Sequence, residues 1–260
     1  MFNKVAIITG AARGIGKGIA KQLVQDGYDV VIADYDLKTA QETAEELKSK
    51  GYKAIAVQGD VSDAQAHKDF VKAAVDNFGR LDTYVNNAGL CQVESIPNIN
   101  KESLDKLFGT NVYGTVFGMQ AAYEQFIKQD DGDKIRKIIN ASSISGHQAY
   151  DMLATYSATK FAIRAYTQAA AKEFAKDNIT VNSYCPGIVL TPMYEQIEEE
   201  MSNITGAEIG EFLENFTETV TLKRPSTAKD VANFVSYLAS DKSDYMTGQS
   251  VLIDGGIQFN

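Results

Sequence analysis

A tyrosine and a lysine stand four residues apart, Tyr156-x-x-x-Lys160, and Ser143 lies thirteen residues before the tyrosine. On a helix that spacing puts Tyr156 and Lys160 on one face. A phenol titrates near pH ~10, too high for acid–base work at neutral pH. A neighbouring ammonium stabilises the phenolate and is expected to bring that value down. A serine hydroxyl can donate to a carbonyl oxygen where negative charge develops. The three could therefore interconvert a carbonyl and an alcohol, with the phenol moving the proton. The pair Tyr156/Lys160 alone also fits an ordinary solvated helix face.

A second cluster suits a phosphate. Thr9-Gly10-Ala-Ala-Arg13-Gly14-Ile15-Gly16 follows an apolar run and opens a helical segment. Gly10 suits a tight turn, and Gly14 lets the backbone approach a pyrophosphate, whose charge a helix N-terminus favours. The spacing departs from the G-x-G-x-x-G form. About 20 residues on, Asp34 ends the next apolar run, where a carboxylate accepts from ribose hydroxyls and repels a 2′-phosphate. Arg13 points the other way, since it could meet that phosphate, turn to solvent or pair with Asp34. The fixed carboxylate weighs more, so NAD(H) is expected over NADP. Asp60-Val61 and Asn86-Asn87-Ala88-Gly89 end the third and fourth runs.

The elements carrying these residues alternate. Apolar runs at residues 5–8, 30–33, 54–57, 84–85, 138–139, 179–181 and 251–253 are continuous, as in strands covered on both faces. Between them, Phe70, Val71, Ala74, Val75 and Phe78 form one helical stripe, and Ala40, Ala44 and Leu47 another. The expectation is one doubly wound α/β domain of Rossmann type over 1–260. It has a seven-stranded parallel sheet, helices on both faces and a ligand crevice at the carboxyl ends of the strands. Gly109, Gly114 and Gly118 interrupt a helical pattern at about 1 kcal/mol each, so close approach of another backbone is expected there. Ala158, Ala162, Ala165 and Ala169 form a small-residue stripe on a helix apolar on more than one side.

The 260 residues carry 25 Lys+Arg against 34 Asp+Glu, net charge −9, which argues against nucleic acid or an anionic membrane as partner. No apolar run approaches the ~18 residues of a membrane span, and Val5 to Ile8 is too short for a signal peptide. Cys91 and Cys185 have no metal-ligand spacing and make no disulfide framework, so no metal and a reducing cytoplasm are expected.

Taken together, the chain resembles the short-chain dehydrogenase/reductase family over essentially its full length. The resemblance rests on Thr9-Gly10-x-x-x-Gly14-x-Gly16, Asp60, Asn86-Asn87-Ala88-Gly89, Asn111, Ser143, Tyr156-x-x-x-Lys160 and Pro186-Gly187. It implies Tyr156 as general acid/base and Ser143 positioning the carbonyl. Lys160 would hold the nicotinamide ribose and tune Tyr156, with Asn111 holding a relay water. It implies cofactor contacts from Gly10, Arg13, Gly14, Ile15, Gly16 and Asp34. Further contacts would come from Asp60, Val61, Asn87, Ala88 and Gly89, and from Pro186, Gly187, Ile188 and Thr191. It also implies a homotetramer of 222 symmetry, with helices paired across a twofold axis and a second interface at Ser250–Ile253. Within the family, Gly146-His147, Tyr184 to Val189, Thr191-Pro192-Met193 and the tail from Ser243 to Gly256 are similar to acetoin (diacetyl) reductases and 2,3-butanediol dehydrogenases. That implies reversible reduction of diacetyl or acetoin. A 3-oxoacyl-carrier reductase or another short-chain alcohol or sugar dehydrogenase is the alternative, and a non-catalytic nucleotide-sensing module a distant one. Ser143, Ile144, Tyr150, Gly187 and Met193 are expected to line the substrate pocket beneath a loop of about 187–225. An apolar lining suits a small diketone or hydroxyketone. His147 is read as a supporting histidine, and Glu198 to Glu200 as a solvated helix face.

Overall fold

The continuous apolar runs become the strands of one sheet. The computed structural model describes residues 3–130, 132 and 134–259. The strands are β1 (Lys4–Thr9), β2 (Tyr28–Asp34), β3 (Ala54–Gln58), β4 (Thr83–Asn86), β5 (Arg136–Ala141), β6 (Ile179–Pro186) and β7 (Ser250–Ile253). All pair in parallel in the order β3-β2-β1-β4-β5-β6-β7. The order reverses between β1 and β4, where open α/β sheets bind ligands. The helices are α1 (Gly14–Gln25), α2 (Leu37–Lys48), α3 (Ala64–Phe78), α4 (Lys101–Leu107), α5 (Gly114–Phe126), α6 (Ala154–Phe174), α7 (Pro192–Thr205), α8 (Glu211–Thr219) and α9 (Ala228–Ala239). One core packs α1, α2 and α9 on the sheet through Leu23, Ala40, Leu47 and Val235. The other packs α3, α5 and α6 on the opposite face through Phe70, Ala74, Ala122 and Ala170. Burying both faces is what requires apolar residues at consecutive strand positions. Among the described residues no helix is long and apolar enough to cross a membrane.

Three expectations are corrected. Gly118 meets a side chain where a backbone was expected, while Gly114 meets both the side chain and the backbone carbonyl of Val61. A Cβ on Gly118 would lie 1.9 Å from Asn86 Oδ1, and one on Gly114 3.0 Å from Val61 Cγ2. Between α4 and α5 the backbone forms a π-helical turn, Phe108–Tyr113, with fully buried Asn111 inside it. Second, the acidic run is solvated only at Glu199. Glu198 is buried and accepts from the Tyr194 hydroxyl and the Gly210 N–H (2.8 Å). Glu200 accepts from the Val93 N–H at 3.0 Å, fastening α7 to the segment after β4. A buried carboxylate needs such donors, which the local sequence does not reveal. Third, the Tyr156 phenol lies above rather than below its ordinary pKa, because it is desolvated. Ala158, Ala165 and Ala169 lie exposed on α6 beside Phe161 and Tyr166, so this apolar face is uncovered within the chain.

Candidate active site

The end of β1 and the end of β4 are locked together. Thr9 Oγ1 accepts from the N–H groups of Asn87 (3.0 Å) and Ala88 (3.1 Å). The Asn87 amide donates to the Thr9 and Gly10 carbonyls at 2.8 and 3.1 Å and accepts from the Tyr184 hydroxyl at 2.8 Å. The Asn87 side chain is thereby committed to the scaffold. Sequence reasoning passed over Thr9 and Tyr184 as functional residues, and nothing local to Tyr184 marks it as Asn87's partner. Gly10 and Gly14 take positive φ, 63° and 58°. A Cβ on Gly16 would lie 2.3 Å from the Gly10 carbonyl oxygen, so α1 sits directly on the loop. Gly14 has only the Thr191 side chain within 4 Å of such a Cβ, leaving its outer side open. Ile15 packs against the core behind the loop.

Asp34 Oδ2 accepts from Ala12 N–H and Oδ1 from Asp36 N–H, both at 3.0 Å, which fixes the carboxylate at the end of β2. Arg13 is exposed, and among the described ion pairs none joins it to Asp34. Asp60 Oδ1 holds the N–H and hydroxyl of Ser62 at 2.8 and 2.7 Å. The Val61 carbonyl lies 2.9 Å from Nε2 of fully buried His67, whose Nδ1 lies 2.7 Å from the Tyr84 hydroxyl. A carbonyl only accepts, so Nε2 carries the hydrogen and Nδ1 accepts from Tyr84 in the neutral imidazole. Burial lowers the His67 pKa and favours that form. His67 was another residue the sequence did not mark.

Asn111 and Lys160 meet beside Gly89, and Lys160 and Ser143 each adjoin Tyr156. A Cβ on Gly89 would lie 3.3 Å from Asn111 Oδ1 and 3.6 Å from Lys160 Nζ. The Asn111 amide donates to the Leu90 carbonyl at 2.9 Å and to Thr159 Oγ1 at 3.0 Å, and accepts from Leu90 N–H at 2.8 Å. Its side chain therefore grips the segment after β4. The Asn111 carbonyl accepts from Thr115 Oγ1 at 2.7 Å. Ser143 Oγ accepts from Ser145 N–H at 3.1 Å, which leaves its hydroxyl hydrogen to donate. Lys160 is buried and donates to the Ala141 carbonyl at 2.9 Å, with Nζ 5.4 Å from the Tyr156 ring centroid. Desolvation lowers its pKa to about 8. The phenol of Tyr156 is raised above its ordinary value, first by burial and then by the Cys91 thiol, while a hydrogen bond with Ser143 draws it down. The expected lowering by Lys160 is thus absent from the chain by itself, because the ammonium faces the ring while burial disfavours the phenolate. Burial also pushes the Cys91 thiol up to about 12, so it stays neutral beside them.

Beyond β6, Gly187 N–H donates to the Ile253 carbonyl at 3.2 Å, and the Ile188 carbonyl accepts from Ser226 N–H at 2.9 Å. Thr191 caps α7. Met193 stands in the first turn of that helix, 37% exposed. Ile144 is buried, and half-buried Tyr150 accepts from Gln258 Nε2 at 2.9 Å. Gln258 belongs to the C-terminal segment, which the sequence reading left out of the pocket.

The sequence model for short chain dehydrogenases matches residues 4–202. A diacetyl reductase [(S)-acetoin forming] from Staphylococcus epidermidis (strain ATCC 12228 / FDA PCI 1200) is 51% identical over 259 residues, 99% of this chain and 100% of that protein. The L-2,3-butanediol dehydrogenase of Corynebacterium glutamicum is 43% identical over 261 residues, covering 100% of both chains. A diacetyl reductase [(S)-acetoin forming] from Staphylococcus aureus (strain Mu50 / ATCC 700699) is 43% identical over 257 residues, 99% of this chain and 98% of that protein. The sheet is of the Rossmann type that binds nicotinamide cofactors. On this match, which runs through both the glycine loop and the tyrosine–lysine helix, the chain belongs to the short chain dehydrogenase family.

Proposed function

We propose that this chain is an NAD(H)-dependent reductase of diacetyl and acetoin, working in reverse as a 2,3-butanediol dehydrogenase and forming the (S) product. The observation that carries the reading is full-length similarity to proteins so named, at 43% to 51% identity, joined to an intact Ser143, Tyr156 and Lys160. Gly14, with its left-handed backbone and open outer side, fits a pyrophosphate, and Asp34 fits a ribose diol. Gly10, Gly16, Asp60, Val61, Ala88 and Gly89 would complete the cofactor's wall, with Pro186, Gly187, Ile188 and Thr191 at its nicotinamide end. Asp34 ends β2 and Asp36 caps α2 two residues on, and their adjacent negative charges favour NAD over NADP.

When bound, the cofactor supplies the hydride. Ser143 donates to the carbonyl oxygen and holds it at the phenol. Tyr156, kept protonated by burial, donates its proton to that oxygen as charge develops there. Lys160, placed over the ring, would hold the nicotinamide ribose, and Asn111 keeps Leu90 in place and would hold the relay water. The segment 187–225, which carries Met193, would cover Ile144 and Tyr150. We assign the uncovered face of α6 to a subunit contact in a homotetramer, and the two free, buried thiols to a reducing cytoplasm.

The test follows the near-ultraviolet absorbance of reduced nicotinamide with diacetyl and NADH, diacetyl and NADPH, and a 3-oxoacyl thioester and NADPH. The first arm is expected to be fastest. A preference for the thioester would overturn the substrate, and a preference for NADPH would overturn the weight given to Asp34 over Arg13. Light scattering is expected to give four chain masses, and Ala165→Arg to dissociate the assembly.

A further inference from the structure

The chain's last turn lies against the residues assigned to the substrate pocket. Beyond β7, Asp254 accepts from Gly256 N–H at 2.9 Å on one oxygen and from Gln258 N–H at 2.8 Å on the other. Gly255 and Gly256 both take positive φ, 70° and 82°. Side chains there would strike Val220 at 2.7 Å and Thr221 at 2.9 Å. Leu222 N–H donates to the Gly255 carbonyl at 3.1 Å, and the Thr221 hydroxyl to the Gly256 carbonyl at 2.6 Å. The turn is therefore held from two sides, by its own carboxylate and by the segment that follows α8. It carries Ile257 to Gly187, where Ile257 Cδ1 stands 3.1 Å from the place a Cβ would occupy. It carries Gln258 to Tyr150 and Ile144: Gln258 Nε2 is 2.9 Å from the Tyr150 hydroxyl and 3.5 Å from the Ile144 carbonyl oxygen.

We propose that Gln258 is a positioning residue that sets substrate selectivity, by tying the Tyr150 ring to the Ile144 backbone as one wall of the ketone pocket. The proposal rests on the reading of the chain as a reductase of a small ketone at Tyr156. A half-buried phenol seeks a hydrogen-bond partner, and its ring otherwise moves between staggered rotamers. With the ring held, a small ketone's two ends meet unequal space, which is how an apolar pocket discriminates between orientations. With the ring released, both orientations fit, and neither binds as well. The Gln258 side chain bonds Tyr150 and the Ile144 carbonyl, not the glycine loop or Asp34, so NADH dissociation serves as the control.

The test is a double-mutant cycle of Gln258→Leu and Tyr150→Phe in the full chain, with a chain ending at Ile257 as a second way of removing Gln258. Gln258→Leu is expected to raise KM for diacetyl about fivefold, the scale of one hydrogen bond. The enantiomer ratio of the product shifts, while kcat at saturation and NADH dissociation stay native. Tyr150→Phe gives the same pattern, and the double variant is no worse than either single one, because both break one contact. Simple additivity of the two effects overturns the proposal. So do native KM and enantiomer ratio in Gln258→Leu and in the shortened chain, or a loss confined to NADH binding. A native chain idle on diacetyl but active on another ketone fails the substrate reading alone, and the same cycle is then run on that ketone.

Discussion

Replacing Lys160 by Met is expected to abolish turnover and stabilise the fold at pH 7. Burial moves the Lys160 pKa from 10.5 to about 8. At about 1.36 kcal/mol for each pH unit, holding this ammonium out of water costs the folded state about 3 kcal/mol. Methionine is close in length and shape, so repacking adds little. The variant loses the 2.9 Å hydrogen bond to the Ala141 carbonyl, about 1 kcal/mol. The net gain at pH 7 is about 2 kcal/mol, or roughly 4–8 °C in Tm for a chain of this size. The pH dependence gives the sign a second check. Below pH 8 the amine is charged in both folded and unfolded chains, and the full cost is present. Above pH 8 the folded chain sheds the proton while the unfolded chain keeps it to about 10.4, so native stability rises with pH. By pH 9.5 the native chain has recovered about 2 kcal/mol and the gap to the variant has closed. Far-ultraviolet circular dichroism melts of both proteins at pH 7 and 9.5, at one protein concentration, read this directly. A variant less stable than native at pH 7, or a gap that does not change with pH, refutes the reasoning.

Tyr156→Phe keeps the ring and removes the proton donor, so kcat is expected to fall about 100- to 10,000-fold with NADH dissociation unchanged, as read by cofactor fluorescence titration. Gly118→Ala should lower Tm despite the ~1 kcal/mol helix gain, because the new methyl forces Asn86 off its 2.9 Å bond to Asn140. That overpacking costs about 1–3 kcal/mol before the broken buried bond is counted, and a raised Tm in a thermal melt would return the glycine to an intersubunit role. Asp34→Ser, which keeps one oxygen for Ala12 N–H, is expected to move the ratio of kcat/KM for NADPH over NADH upward by about tenfold, the scale of ~1.4 kcal/mol.

What was legible in the sequence was whatever short-range geometry dictates. A run such as Val30 to Ala33 has apolar residues on both sides of the pleat, so it must be a doubly covered strand. Tyr156 and Lys160 share a face because a helix returns after about four residues, and Gly10 and Gly14 hold positive φ because their motif turns there. The fold class and the residues of the site follow from such local rules. Their state does not. Whether the Tyr156 phenol sits above or below its ordinary pKa depends on what surrounds it, and burial decides the direction. Glu198 and Glu200 looked solvated until Gly210 and the segment at Val93 supplied their donors. Gly118 looked like a site for a neighbouring backbone until Asn86 arrived from β4. The tie between Gln258 and Tyr150 joins residues 108 positions apart, and no periodicity of 2 or 3.6 reaches that far. A local pattern records which face a residue presents, whereas desolvation, ion pairing and pocket shape are sums over neighbours that only the folded chain brings together.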